Sequence, residues 1–234
     1  MLDQALEALK TYDWGADPKL LKPIDEAVVA TRDDAAARQE LEARLVAVLP
    51  SDVSRDAKDY VCRKLRTIGT AASVPALAEL LADEELSHMA RYALERIPAA
   101  EAAQALRDAL PQVANRLKIG LMGSLGVRKD AASVPAIGAL LGDADPAVAR
   151  SAVLALGAIR TPEAARALQQ AKPAGDAVQT ALTDASLACA EGLLAAGKKG
   201  EALAIYKALL GEDQPQHVRL AATRGMLACA GQND

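Results

Sequence analysis

The chain has 234 residues, with 27 Lys and Arg against 31 Asp and Glu and a formal net charge of −4, so it lacks the broad basic footprint of a general nucleic-acid binder. Apolar residues make up 51% of it but aromatics only 2%, and Phe is absent, which leaves the core to Ala, Leu, Val and Ile. No apolar run approaches the roughly 20 residues that span a bilayer, and MLDQALEALK lacks the basic start and apolar stretch of a secretory signal. A soluble chain is expected, cytoplasmic, or exported if a leader has been removed.

Strong helix formers dominate every segment, and β-branched runs bounded by turn residues are missing, which predicts an all-α fold. Residues 1–54 read as an N-terminal helical cap. There Leu2, Leu6 and Leu9 recur at helical spacing, and Tyr12-Asp13-Trp14-Gly15 breaks the helix at a glycine suited to the left-handed region. Trp14 is expected to pack between the first helix and the next. Two more helices are expected, one over 23–30 and one from Asp33 or Asp34 through Leu41, Leu45 and Val48 to a stop before Pro50.

Residues 55–172 repeat. A helix over 55–68 carries Tyr60, Val61, Leu65 and Ile68 and ends at Gly69, after which comes Ala71-Ala72-Ser73-Val74-Pro75-Ala76. The same six residues return at 131–136, an offset of 131 − 71 = 60, with a weaker copy over 99–110. The unit is therefore about half that offset, a length at which stacked helix pairs form solenoids. Ser73 and Ser133 are placed to cap the helices that follow, and Pro75 falls in a first turn where its missing N–H costs nothing. Leu77, Leu80 and Leu81, and later Ile137, Leu140 and Leu141, form inward stripes, while partner helices are expected over 87–97, 113–125 and 146–159. Thr161-Pro162-Glu163 opens another helix, and Pro173-Ala174-Gly175 is a joint. Residues 173–234 continue the array with helices over 176–196 and 201–210 and a last one opened by Pro215.

The segments Asp145-Pro146-Ala147-Val148-Ala149-Arg150-Ser151-Ala152, Leu156-Gly157, the two AASVPA openings and Ser87-His88-Met89-Ala90-Arg91-Tyr92-Ala93-Leu94 resemble the short HEAT-like repeats named after phycobilisome lyases. The resemblance covers about 55 to 172, and residues 176–210 look like a tetratricopeptide hairpin. It implies a right-handed α-solenoid, a superhelix of antiparallel helix pairs. The family holds scaffolds, chromophore lyases and other bacterial proteins, so it implies no single activity. It also implies a ladder of turn aspartates and second-helix arginines, here Asp83 with Arg91, Asp143 with Arg150 and Asp213 with Arg219.

Catalytic patterns are hard to find. His88 and His217 are the only histidines and stand in different repeats, without the His-Glu pairs of HEAT-repeat di-iron hydroxylases, so neither a metal nor a cofactor is expected. Cys62, Cys189 and Cys229 lack metal-ligand spacing and read as reduced core residues, with a Cys189 to Cys229 bridge as the alternative. The expected function is a monomeric, non-catalytic scaffold that binds a protein or peptide segment, with a bilin-lyase or other chromophore-handling role as the alternative. The second helices would line the concave face. Among them 60–68 and 112–129 hold basic residues without an acid, and with Arg91 they give a row of Arg63, Arg66, Arg91, Arg116 and Lys118 suited to an acidic partner. The same residues would also serve as a solvated polar face.

Overall fold

The computed structural model describes residues 1–172, 175–212 and 214–231, and among these there is no strand. Two compact units divide the chain, Met1–Ser124 and Leu125–Asp234. The first holds α1 (Leu2–Leu9), α2 (Lys22–Ala30), α3 (Ala35–Val46), α4 (Arg55–Ile68), α5 (Val74–Glu79), α6 (Ser87–Leu94), α7 (Ala100–Ala109) and most of α8 (Asn115–Val127). The second holds α9 (Val134–Gly138), α10 (Pro146–Ile159), α11 (Pro162–Gln170), α12 (Asp176–Ala195), α13 (Lys199–Ala208) and α14 (Gln216–Gly231).

Within each unit the helices sort into two layers. In the first unit α5 packs on α7 and α4 on α6; in the second α9 packs on α11 and α10 on α12, then α12 on α13 and α13 on α14. First helices thus stack on first helices and second on second, the layering of a solenoid. Leu77, Leu94, Ile97 and Leu106 fill the space between the layers of the first unit, and Ile137, Val148, Leu156 and Leu168 that of the second, all at most 1% exposed. Each such side chain contributes about 1.5–3 kcal/mol on burial, which is how a core without Phe holds together. The stripes are slightly out of the expected phase, because Leu80 and Leu140 are only half-buried while Leu81 and Leu141 are buried.

The two AASVPA segments form the same structure, though not the one their serines suggest. Ala71–Ser73 and Ala131–Ser133 are single 3-10 turns that lead into α5 and α9, and neither Ser73 nor Ser133 caps through its hydroxyl. Ser133 Oγ instead donates to the Asp130 carbonyl at 2.7 Å. At the first copy a residue from the cap does the work: the buried Glu42 carboxylate of α3 accepts from Thr70 N–H at 2.7 Å, from Thr70 Oγ1 and from Ser73 Oγ. The cap is thereby bonded to the start of the first repeat. The joints with ordinary caps match expectation, since Asp145 accepts from Ala147 N–H and Thr161 from Ala164 N–H, each ahead of a proline at the helix start.

Trp14 departs from the sequence reading: it is 91% exposed. Leu6, Leu9, Leu21 and Ile24 are buried in this part of the chain, and Tyr12 rather than Trp14 reaches a neighbouring ring, that of Tyr60 at 6.4 Å between centroids. Gly15 takes φ of +86° at the break, as its position requires. The joint at Pro173-Ala174-Gly175 and the ladder residue Asp213 fall, in part or whole, outside the described residues.

Candidate functional site

The amphipathic spacing of α4 turns Ala57, Val61, Cys62, Leu65 and Ile68 inward, which leaves Asp59, Tyr60, Arg63, Lys64 and Arg66 on the outer side. Arg63 is exposed and gripped from one turn back: its Nε and Nη2 donate to the two oxygens of Asp59 at 3.1 and 3.2 Å. That pair holds the Arg63 guanidinium firmly charged, pushing its pKa above the ordinary value. Lys64, beside it, pairs with Asp25 of α2 and lies 4.4 Å from the centre of the Tyr60 ring. The Tyr60 hydroxyl donates to Asp25 Oδ1 at 2.9 Å and stands 3.1 Å from the Leu21 carbonyl, and burial, helped by Asp25, raises its pKa.

Arg66 crosses to the next second helix. Its guanidinium lies over the ring of Tyr92 in α6, 4.4 Å from the ring centre, and its Nε is buried without a hydrogen-bond partner. Arg91, one residue before Tyr92, points on to α8. There its Nη1 donates to the Gly120 carbonyl at 2.9 Å and stands 3.4 Å from Ser124 Oγ, which itself donates to Glu95 Oε1 at 2.7 Å. The contact depends on a missing side chain: a Cβ at Gly120 would lie 2.4 Å from Arg91 Cζ. Burial lowers the Arg91 pKa, and the nearby Glu95 charge opposes that shift. On α8 Arg116 is exposed and Lys118 half-buried, and among the described residues neither has an ion-pair partner.

The five basic residues expected from sequence therefore stand on three successive second helices of the first unit, in unequal states. Arg63 is bound along its own helix, Arg66 and Arg91 join neighbouring helices, and Arg116 and Lys118 are unengaged. Asp59 was one position outside the acid-free window, yet its i, i+4 spacing to Arg63 is readable, as is that of Tyr60 to Lys64. Tyr92, Gly120, Ser124 and Glu95 carry no such signal, because their partners are about 26 to 33 positions away and meet them only through helix stacking.

The aspartate ladder takes another form. Asp83 accepts from Glu85 and Leu86 N–H groups at 2.8 and 2.9 Å and so closes its own turn, while Arg91 is directed to α8. Asp143 does the same for Asp145 N–H at 2.9 Å, and Arg150 is exposed. Each carboxylate, three or four residues ahead of its helix, finds backbone N–H groups close by and is engaged there. His88 and His217 are both exposed, one in each unit. Among the described residues no three of His, Cys, Asp and Glu gather as a metal-binding group. Cys62, Cys189 and Cys229 are buried free thiols, and burial raises the pKa of Cys62 to about 12 and that of Cys189 to about 11. No described helix is long and apolar enough to cross a membrane.

A family profile agrees with this architecture over part of the chain. Residues 114–186, which run from the start of α8 into α12, match the family profile for HEAT repeats. Among solved structures, human deoxyhypusine hydroxylase in complex with glycerol is similar at 18% identity, with 81% of this chain and 96% of that one covered and a TM-score of 0.41. No relative matches among the curated proteins. The chain is all-helical among the described residues and carries HEAT repeats over 114–186.

Proposed function

We propose that this protein is a non-catalytic interaction scaffold, and that the second helices of its first unit, α4, α6 and α8, bind an acidic segment of a partner protein. The observation that carries the reading is the row of cations on these three helices in a chain whose net charge is −4. Arg63 and Arg66 are each held by a neighbouring side chain, and among the described residues Arg116 and Lys118 have no ion-pair partner. Arg91 serves the row differently. With Nη1 given to the Gly120 carbonyl, it sets the spacing of α6 against α8 and contributes field more than contact. The same residues do not amount to an active site. Nucleophilic chemistry needs a base beside an accessible nucleophile, and here the histidines are isolated, the three thiols are buried, and burial holds Cys62 and Cys189 protonated.

The test is the anisotropy of a labelled oligoglutamate peptide, with an oligoarginine peptide as control. The expected result is binding of the acidic peptide alone, and its loss in Arg116→Glu/Lys118→Glu. Equal binding of both peptides, or an unaffected double variant, contradicts the reading.

A further inference from the structure

We propose that Arg66, whose guanidinium lies over the ring of Tyr92, is the position on this face that reads a partner's carboxylate through both of its terminal nitrogens, so that the ligand is an acidic side chain rather than a nucleobase. This rests on the scaffold reading above and goes beyond it by naming the recognising group.

Three arginines of the row lie on α4 and α6, and only one has its fork unspent. Arg63 gives Nε and Nη2 to Asp59, and Arg91 gives Nη1 to the Gly120 carbonyl. Arg66 has its Nε buried and unbonded, while neither Nη is buried or bonded to the protein among the described residues. A guanidinium resting on an aromatic face keeps its plane fixed and its outer edge turned to solvent, and that edge matches the two oxygens of a carboxylate. Because Tyr92 restricts the fork beforehand, little rotamer freedom remains to be lost on binding. Arg66 is then the contact, and Tyr92 a positioning residue that acts through it.

The rings argue against the other anionic partner. Single-stranded nucleic acid is held by bases stacked on open aromatic faces. On these helices Tyr60 and Tyr92 each have a face covered by a cation of the protein itself, Lys64 in one case and Arg66 in the other. The open ring is that of Trp14, which stands on the loop after α1 and not on α4, α6 or α8.

Four proteins are compared by anisotropy with labelled oligoglutamate over a series of salt concentrations: wild type, Arg66→Lys, Tyr92→Leu and the double variant. Arg66→Lys keeps the charge and loses the fork, so its affinity should fall about tenfold, the loss of one charge-assisted hydrogen bond, with the salt dependence unchanged. Tyr92→Leu should fall by a similar factor. The double variant should be no weaker than Arg66→Lys alone, because both changes remove the same oriented fork; a residue that merely supports the helix would give multiplying losses. Wild-type affinity in Arg66→Lys, or losses that multiply, overturns the assignment. If Arg66→Lys is neutral while Arg116→Glu/Lys118→Glu abolishes binding, the scaffold reading stands and this one falls. If wild type ignores oligoglutamate, both fall. Preference for labelled oligothymidylate over oligoglutamate, lost in Tyr92→Leu, makes the ring a base platform and also overturns the assignment.

Discussion

At the scale of single residues, burial decides what the thiols do. The folded chain holds Cys62 protonated to about pH 12 and Cys189 to about pH 11, whereas in the unfolded chain both ionise near their ordinary value of 9.0. Their contribution to stability is therefore fully present below pH 9.0 and is lost as the pH rises towards 11 and 12. Urea midpoints measured at pH about 8 and about 10.5 should fall for the wild type and fall less for Cys62→Ala/Cys189→Ala. An equal fall in both proteins contradicts the burial argument. Gly120 makes a second residue-level case. Gly120→Ala gains about 1 kcal/mol of helix propensity but displaces the Arg91 guanidinium, whose bond to the Gly120 carbonyl contributes about 1.5–3 kcal/mol. A net loss of about 1 kcal/mol in chemical denaturation is expected; a gain means that the Arg91 contact contributes nothing.

At the scale of elements, the strength of a joint depends on whether its polar groups are satisfied locally or from elsewhere. The second AASVPA segment is closed by Ser133 on the Asp130 carbonyl, a bond three residues long, while the first borrows the buried carboxylate of Glu42 from α3. Glu42→Ala leaves the Thr70 N–H and the Ser73 hydroxyl without their acceptor, at a cost of about 2–4 kcal/mol in total. A midpoint within error of wild type contradicts the bond between cap and repeat. Helix phase is tested in the same way by Leu156 in α10 and Leu140 in the turn after α9. Leu156→Ala empties a site with no exposure and should cost about 2–5 kcal/mol, and Leu140→Ala, half-buried, distinctly less. The reverse order would mean that α10 is turned from the phase described.

The same contrast explains what was legible in the sequence. Proline and glycine at the joints, the leucine periodicity and the repeated hexapeptide are local signals, and they mark the helices to within a few residues. Glu42 with Ser73 is not local, nor is Arg66 with Tyr92. Such pairs form only when helices stack, so the basic row was visible as charges but not as the oriented groups they become. Trp14 failed for a related reason: the one tryptophan in a chain of small side chains reads as core, yet nothing in the sequence shows that Leu9, Leu21 and Ile24 are buried there without it.

For the whole molecule the central matter is a basic face on an acidic chain. Net charge alone would repel an acidic partner, so the account needs the local field of α4, α6 and α8 to prevail near the surface, and this field is screened beyond about 8 Å at physiological ionic strength. Binding should therefore weaken steeply with added salt, chiefly through slower association. The most direct measurement is stopped-flow association of labelled oligoglutamate with wild type and with Arg63→Glu/Arg116→Glu at two salt concentrations. The account predicts an association rate that falls with salt in the wild type, and a double variant that is slower by at least tenfold and nearly indifferent to salt. Equal rates for the two proteins at both salt concentrations would contradict it, and α4, α6 and α8 would be left as a solvated face.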